Sequence, residues 1–134
     1  MASSAGRLAR LTINGQEYNV IQFTFESIKP VDKWNRVTAF AIKADARFVL
    51  EGTGETTTLF ESYANSRRRF NAKLTLYKPH DEGVLTEVNF DDCSITYYAS
   101  NFNTFDEFPF KITIVINPKL IKEGSGELSF DQNT

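Results

Sequence analysis

The sequence predicts a mainly β domain, an antiparallel sandwich or barrel carrying one short helix. Three observations predict it. Apolar and polar residues alternate with period 2 through most of the chain, as strands with one covered face require. Asn14-Gly15 lies between Leu11-Thr-Ile13 and Tyr18-Asn-Val20, and Asn-Gly accepts the positive φ angles of a tight hairpin turn. Only Thr56 to Asn65 changes to a spacing of four.

The first two strands flank that hairpin. The second runs on through Ile21, Phe23 and Phe25, which have the opposite parity to Tyr18 and Val20. The buried face therefore switches within the strand, which predicts a bulge or a second packing partner. A polar loop, Lys29 to Val37, follows. The third strand places Thr38, Phe40, Ile42, Ala44, Ala46, Phe48 and Leu50 on one face, and Ala39, Ala41, Lys43, Asp45, Arg47 and Val49 on the other. Glu51-Gly-Thr-Gly54 breaks it. In the helix, Leu59 and Tyr63, and Phe60 and Ala64, lie four apart, and Thr58 with Glu61 reads as a capping box. Strands resume at Phe70 to Tyr77, then at Val84 to Phe90 and Cys93 to Ala99, joined or interrupted at Asp91-Asp92. Asn101 to Asp106 is a loop. A final strand, Glu107 to Asn117, ends at Pro118, which cannot donate to a ladder. That makes about seven strands in one domain over residues 1–134, with 1–6 and 127–134 read as flexible tails.

Composition narrows function. A chain of 134 residues and 15.2 kDa supports one core. Fifteen Lys and Arg against seventeen Asp and Glu give a net charge of -2, without the basic excess of a general nucleic-acid binder. The N-terminus lacks the pattern of a signal peptide, and no run approaches a membrane span. The expectation is a protein folded in the cytoplasm that, if exported, uses a route independent of a cleavable signal. One histidine and one cysteine leave little for a metal site or a nucleophile–base pair. His80 reads as a solvated turn residue and Cys93 as a small buried hydrophobe. Arg67-Arg-Arg69 is either a solvated strand entrance or a contact for a phosphate or acidic partner. No catalytic residue, cofactor site or metal site is assigned. Twelve Phe, five Tyr and one Trp need cover. Trp34, Tyr98, Phe102 and Phe105 find no core slot in the alternation. Trp34, flanked by Lys33, Asn35 and Arg36, is either tucked onto its own core or used as an interface anchor, the composition favouring the anchor.

The order of elements, rather than any one motif, carries a resemblance. Leu11-Thr-Ile-Asn-Gly-Gln-Glu-Tyr-Asn-Val20, Leu59-Phe-Glu61, Leu74-Thr-Leu-Tyr-Lys78, Val88-Asn-Phe90 and Phe110 to Gly124 resemble the tube protein of the type VI secretion system, the Hcp (TssD) family, in its Bacteroidetes branch. The likeness spans about Arg7 to Gly126. It departs at Lys33-Trp-Asn-Arg-Val37 and at Ala39 and Ala41, where branch members carry glycine-rich sequence.

The resemblance implies a small antiparallel β-barrel of two sheets with one helix on its side. It implies a homohexameric ring, with rings stacked into a tube inside a sheath, a spike at the tip, effector cargo in the lumen, and export to target cells. Such a protein is not an enzyme. On that basis Lys29, Asp32, Lys33, Trp34, Asn35 and Arg36 are expected at the ring-stacking loop. Lys43, Asp45 and Arg47 are expected on the lumen wall. Leu8, Arg10, Lys111 and Thr113 are expected at lateral contacts along edge strands. The alternative is a monomeric β-barrel binding a small apolar ligand, since small barrels can hold one.

Overall fold

The computed structural model describes residues 9–29, 31–36, 43–65, 68–78 and 83–129. Strands β1 (Ala9–Ile13) and β2 (Gln16–Ile28) form the predicted hairpin. Asn14 and Gly15 take φ of 52° and 83° in its turn. Strand β3 (Lys43–Glu51) leads into a single 3-10 turn, Gly54–Thr56, and the helix α1 (Thr57–Ala64). Then come β4 (Phe70–Tyr77), β5 (Val84–Phe102), β6 (Phe110–Asn117), β7 (Leu120–Glu123) and β8 (Gly126–Ser129).

The strands run in the order β4-β1-β2-β3-β6-β5-β7-β8, and β4 also pairs with β5. That last pairing closes six strands into a small antiparallel barrel, with β7–β8 added on β5. Two long strands serve both sheets. The first part of β2 pairs with β1, and the rest with β3. The first part of β5 pairs with β4 and β7, and the rest with β6. One sheet thus holds β1, β4, β7 and β8 with the first parts of β2 and β5. The other is four strands wide, in the order β2-β3-β6-β5.

Each long strand changes sheet at an irregularity. In β2 the register shifts between Val20 and Gln22. Tyr18 and Val20 are buried before it, and Phe23 packs on the core after it. The bulge is the physical cause of the parity switch, because one extra residue turns the alternation over. In β5, Asp92 sits at φ 56°, and the Arg69 guanidinium binds its carboxylate and its backbone carbonyl. The strand continues through Asp91-Asp92 without a break.

The interior is filled by the chain's own side chains. Leu11, Leu50, Leu74, Phe48, Phe90, Ile112, Ile114 and Ile116 are fully buried. Phe48 lies 4.9 Å from Phe23 and 6.1 Å from Phe90 between ring centroids, so aromatic contacts join the two sheets. Leu59 plugs α1 onto this core, and Tyr18 ties it there through a 2.9 Å hydrogen bond to Thr58. At Gly52 the backbone N–H donates to the Phe110 carbonyl at 2.8 Å, and an added Cβ would meet the Phe110 ring at 2.2 Å. Gly52→Ala is therefore expected to destabilise the domain by about 1–3 kcal/mol. A urea midpoint equal to that of the unaltered protein would show that the ring moves aside freely.

Several expectations need correction. The capping box is not Thr58 with Glu61 but Thr53 with Thr56, at the 3-10 turn. Thr58 instead donates back to the Glu55 carbonyl, and α1 has no side-chain cap of its own. The last long strand starts at Phe110, and Glu107 to Pro109 belong to the preceding turn. Phe108 is only half-buried. Pro118 ends β6 but not the fold, since β7 and β8 form another hairpin. Residues 127–129, expected in a flexible tail, pair with β7. Most consequentially, β1 lies between β4 and β2, and β6 lies between β3 and β5. Neither is an edge strand. Positions 38–42 of the expected third strand lie outside the described residues, as do Leu8, Arg67 and His80.

Candidate functional site

The four-stranded sheet carries a polar outer face, two margins beside it, and a structured loop at the end where β2 leaves it. On β3, Ala44, Ala46, Phe48 and Leu50 turn to the core, so Asp45, Arg47 and Val49 turn outward. Register places Arg47 opposite Val115 on β6, Val49 opposite Thr113 and Glu51 opposite Lys111. Val115 and Thr113 in turn face Tyr97 and Ala99 on β5. On the other side Thr24 faces Arg47 and Glu26 faces Asp45. Lys111 and Thr113 therefore share one face with Asp45 and Arg47. Position 43 begins the same strand, but its side chain lies outside the described residues.

This face is stitched by polar contacts. The Asn117 amide donates to the Asp45 carboxylate and to the Ala44 carbonyl, both at 2.6 Å. The Arg47 guanidinium lies 5.3 Å from the centre of the Tyr97 ring, a cation–π contact across β6. Lys111 pairs with Asp106 at 3.2 Å. Arg10 lies elsewhere, on the outer face of the first sheet, paired with Glu17 at 2.7 Å.

The margins of the four-stranded sheet are apolar. Beside β2, Phe25 and Ile28 are 39% and 56% exposed. Beside β5, α1 presents Phe60 and Tyr63, 51% and 40% exposed. Both pack on Tyr98, at 5.2 Å and 6.1 Å between centroids. Tyr98 is thus half-covered by its own helix. Helical spacing pairs Leu59 with Tyr63 and Phe60 with Ala64; the contacts with Tyr98 show that Phe60 and Tyr63 together flank a sheet margin.

At one end of the sheet, after β2, Asp32 organises the Trp34 loop. Its Oδ1 accepts from the backbone N–H of Trp34 at 2.8 Å and of Arg36 at 3.0 Å, and its Oδ2 accepts from Arg36 Nε at 2.9 Å. Asn35 closes the turn at φ 64°. Lys33 Nζ and Arg36 Cζ lie 4.7 Å and 5.0 Å from the Trp34 ring centre, and Trp34 is 64% exposed. Lys29, just past the end of β2, is exposed. Of the six loop residues expected to act together, Asp32, Lys33, Trp34, Asn35 and Arg36 share this one turn, with Asp32 as the tie.

The backbone N–H of Arg36, helped by that of Trp34 and by the Arg36 side chain, holds the Asp32 carboxyl below its ordinary value near 3.8. A lowered folded pKa means the anion favours the ordered turn. That ordering is present above the ordinary carboxylate range and is lost as pH falls through the lowered value. Trp34 is the sole tryptophan, so its fluorescence reports the turn. The emission is expected to hold steady down to about pH 4 and to change below it, with circular dichroism checking that the barrel persists. A midpoint at or above the ordinary value would refute the assignment.

The chemical candidates do not assemble. Cys93 is fully buried, and burial pushes its thiol up to about 12, far from a usable nucleophile. Arg69 is spent on Asp92. No group of three or more His, Cys, Asp or Glu able to hold a metal occurs among the described residues. No helix among them is long and apolar enough to cross a membrane.

Comparison with known proteins agrees with the strand order. The family model described as hemolysin coregulated protein Hcp (TssD) matches residues 5–133. The chain belongs to the Hcp (TssD) family of type VI secretion tube proteins. Hcp1 from Flavobacterium johnsoniae superposes with a TM-score of 0.83 at 26% identity, covering 91% of this chain and 98% of that one. Hcp1 from the E. coli EAEC 042 pathovar gives 0.75 at 10% identity, over 92% and 99%. The anti-feeding prophage cap, a tube-terminating protein, gives 0.56 at 10% identity, over 92% and 91%. Those last two likenesses concern the fold alone. No curated protein sequence gives a significant match. The Hcp barrel of two sheets with a flanking helix is the architecture the sequence resemblance implied.

Proposed function

We propose that this chain is a structural subunit that closes into hexameric rings, which stack into the inner tube of a type VI secretion apparatus. The observation that carries the reading is the family membership across nearly the whole chain. The fold supports a specific way of closing the ring. A head-to-tail contact joins two different patches and closes by rotation. The β2 margin, with Phe25, and the β5 margin, with Phe60 and Tyr63, are two such patches on one sheet. Lateral contact then runs through these margins rather than through β1 or β6. The face with Asp45, Arg47, Lys111 and Thr113 lines the lumen, where effector cargo would travel. Spike, sheath and export follow from the same reading. The role is structural rather than catalytic.

The filled interior weighs against a monomeric carrier of an apolar ligand. Phe48, Phe90 and the buried aliphatics occupy the barrel axis, leaving that ligand to displace them. Sizing chromatography with light scattering, followed by negative-stain microscopy, tests the proposal. Ring-shaped particles of six subunits with a central hole are expected. A strict monomer at high concentration, carrying lipid, would establish the other reading.

A further inference from the structure

Of the three arginines after α1, Arg69 is committed to Asp92 and Arg67 lies outside the described residues. Arg68 turns elsewhere. Past the end of α1 the Asn65 N–H donates to the Glu61 carbonyl at 3.1 Å, and the Arg68 N–H donates to the Asn65 carbonyl at 2.9 Å. These two bonds bring Arg68 back beside the helix. There it lines a cavity of about 230 Å³ between α1 and the β1–β2 hairpin. Such a volume holds about seven waters, at roughly 30 Å³ each.

The cavity combines an apolar lining with converging polar groups, the pattern of a small-ligand site. Ile13 and Leu59, both buried, supply the apolar part. Tyr18 and Ser62 line it at 3% and 9% exposure. The Thr58 hydroxyl donates its one hydrogen to the Glu55 carbonyl. It therefore accepts from the Tyr18 hydroxyl, whose oxygen lone pairs stay open to a donor. The Ser62 hydroxyl has no partner among the described residues and can donate. Glu61 and Arg68, both exposed, line the same cavity. Neither side chain has a hydrogen bond or ion pair among the described residues, with the other or with any third group. Helical spacing puts Thr58, Glu61 and Ser62 on the side of α1 away from Phe60, so the cavity is separate from the apolar sheet margin.

We propose that this cavity binds a small zwitterion, a free α-amino acid. Its ammonium sits between the Glu61 carboxylate and the Tyr18 oxygen, and its carboxylate on the Arg68 guanidinium and the Ser62 hydroxyl. Both ends then make charge-assisted bonds. A simple anion would leave Glu61 unanswered, and a simple cation would leave Arg68 so. The volume suits one amino acid and excludes a folded partner. The inference stands apart from the tube reading, which gives none of these four side chains a task.

The test is isothermal titration calorimetry on the full chain, with glycine and L-serine as probes. One saturable site per chain is expected, half-filled at about 1 mM or below. N-acetylglycine keeps only the carboxylate and glycinamide only the ammonium, so each is expected to bind about tenfold more weakly. Arg68→Gln and Glu61→Gln should each weaken glycine binding by about the same factor with unchanged melting, since both side chains are exposed. Arg10→Gln, a charge removed from the outer face of the first sheet, should bind as the unaltered protein does. N-acetylglycine binding as tightly as glycine, or undiminished binding in both Arg68→Gln and Glu61→Gln, would overturn the proposal. Rings that form normally but take up neither amino acid at about 10 mM would overturn the site and leave the tube reading intact.

Discussion

Replacing Phe48 by alanine is expected to destabilise the domain by about 3–5 kcal/mol, a large share of the roughly 5–15 kcal/mol that holds a native domain together. Phe48 is fully buried on β3. Its ring meets Phe23 on the neighbouring strand and Phe90 on the opposite sheet. Removing it deletes the contact between sheets as well as the transferred area. The closed ring of strands limits how far the walls can collapse into the void. Phe48→Leu should lose much less, about 1 kcal/mol. Urea denaturation of both variants checks this. A loss below about 1 kcal/mol for alanine would mean a loosely filled interior, and would revive the ligand-carrying barrel.

The residues buried in this core were readable because alternation encodes one face directly. Ala44, Ala46, Phe48 and Leu50 share a parity and a fate. The bulge in β2 was readable too, since Val20 and Ile21 stand side by side where a single face allows one. Closure was not readable. It depends on β4 meeting β5 as well as β1, a pairing that leaves no mark on periodicity. Hence β1 and β6 could pass for edges until their second neighbours were seen. The 3-10 turn escaped for a local reason. Thr53, Thr56, Thr57 and Thr58 all offer hydroxyls near a helix start, and only backbone geometry chooses among them. The Trp34 loop was marked by composition, an aromatic among charges. Its tie was not, because an aspartate two residues before Trp34 looks like any surface carboxylate until its bonds are traced.

Placing a glutamate at either sheet margin, Phe25→Glu or Phe60→Glu, is expected to abolish rings while leaving a folded monomer. Both side chains are partly open to solvent in the single chain, so each barrel should keep its melting transition. In a closed ring every subunit offers both margins. One substitution therefore places a charge in every lateral contact at once. Losing a central aromatic anchor costs about 2 kcal/mol or more per contact, and desolvating an unpaired carboxylate costs more. The six contacts of a hexamer stand or fall together, so the effect on ring population far exceeds that of one contact. Light scattering should report a particle near 15.2 kDa instead of one six times larger. Combining Phe25→Glu with Phe60→Lys puts opposite charges face to face and should restore part of the assembly. Arg10→Ala, on the outer face of the first sheet, should leave rings unchanged. Rings that survive both glutamates but fail with Arg10→Ala would move the lateral contact from the four-stranded sheet to the other one, and with it the assignment of Asp45, Arg47, Lys111 and Thr113 to the lumen.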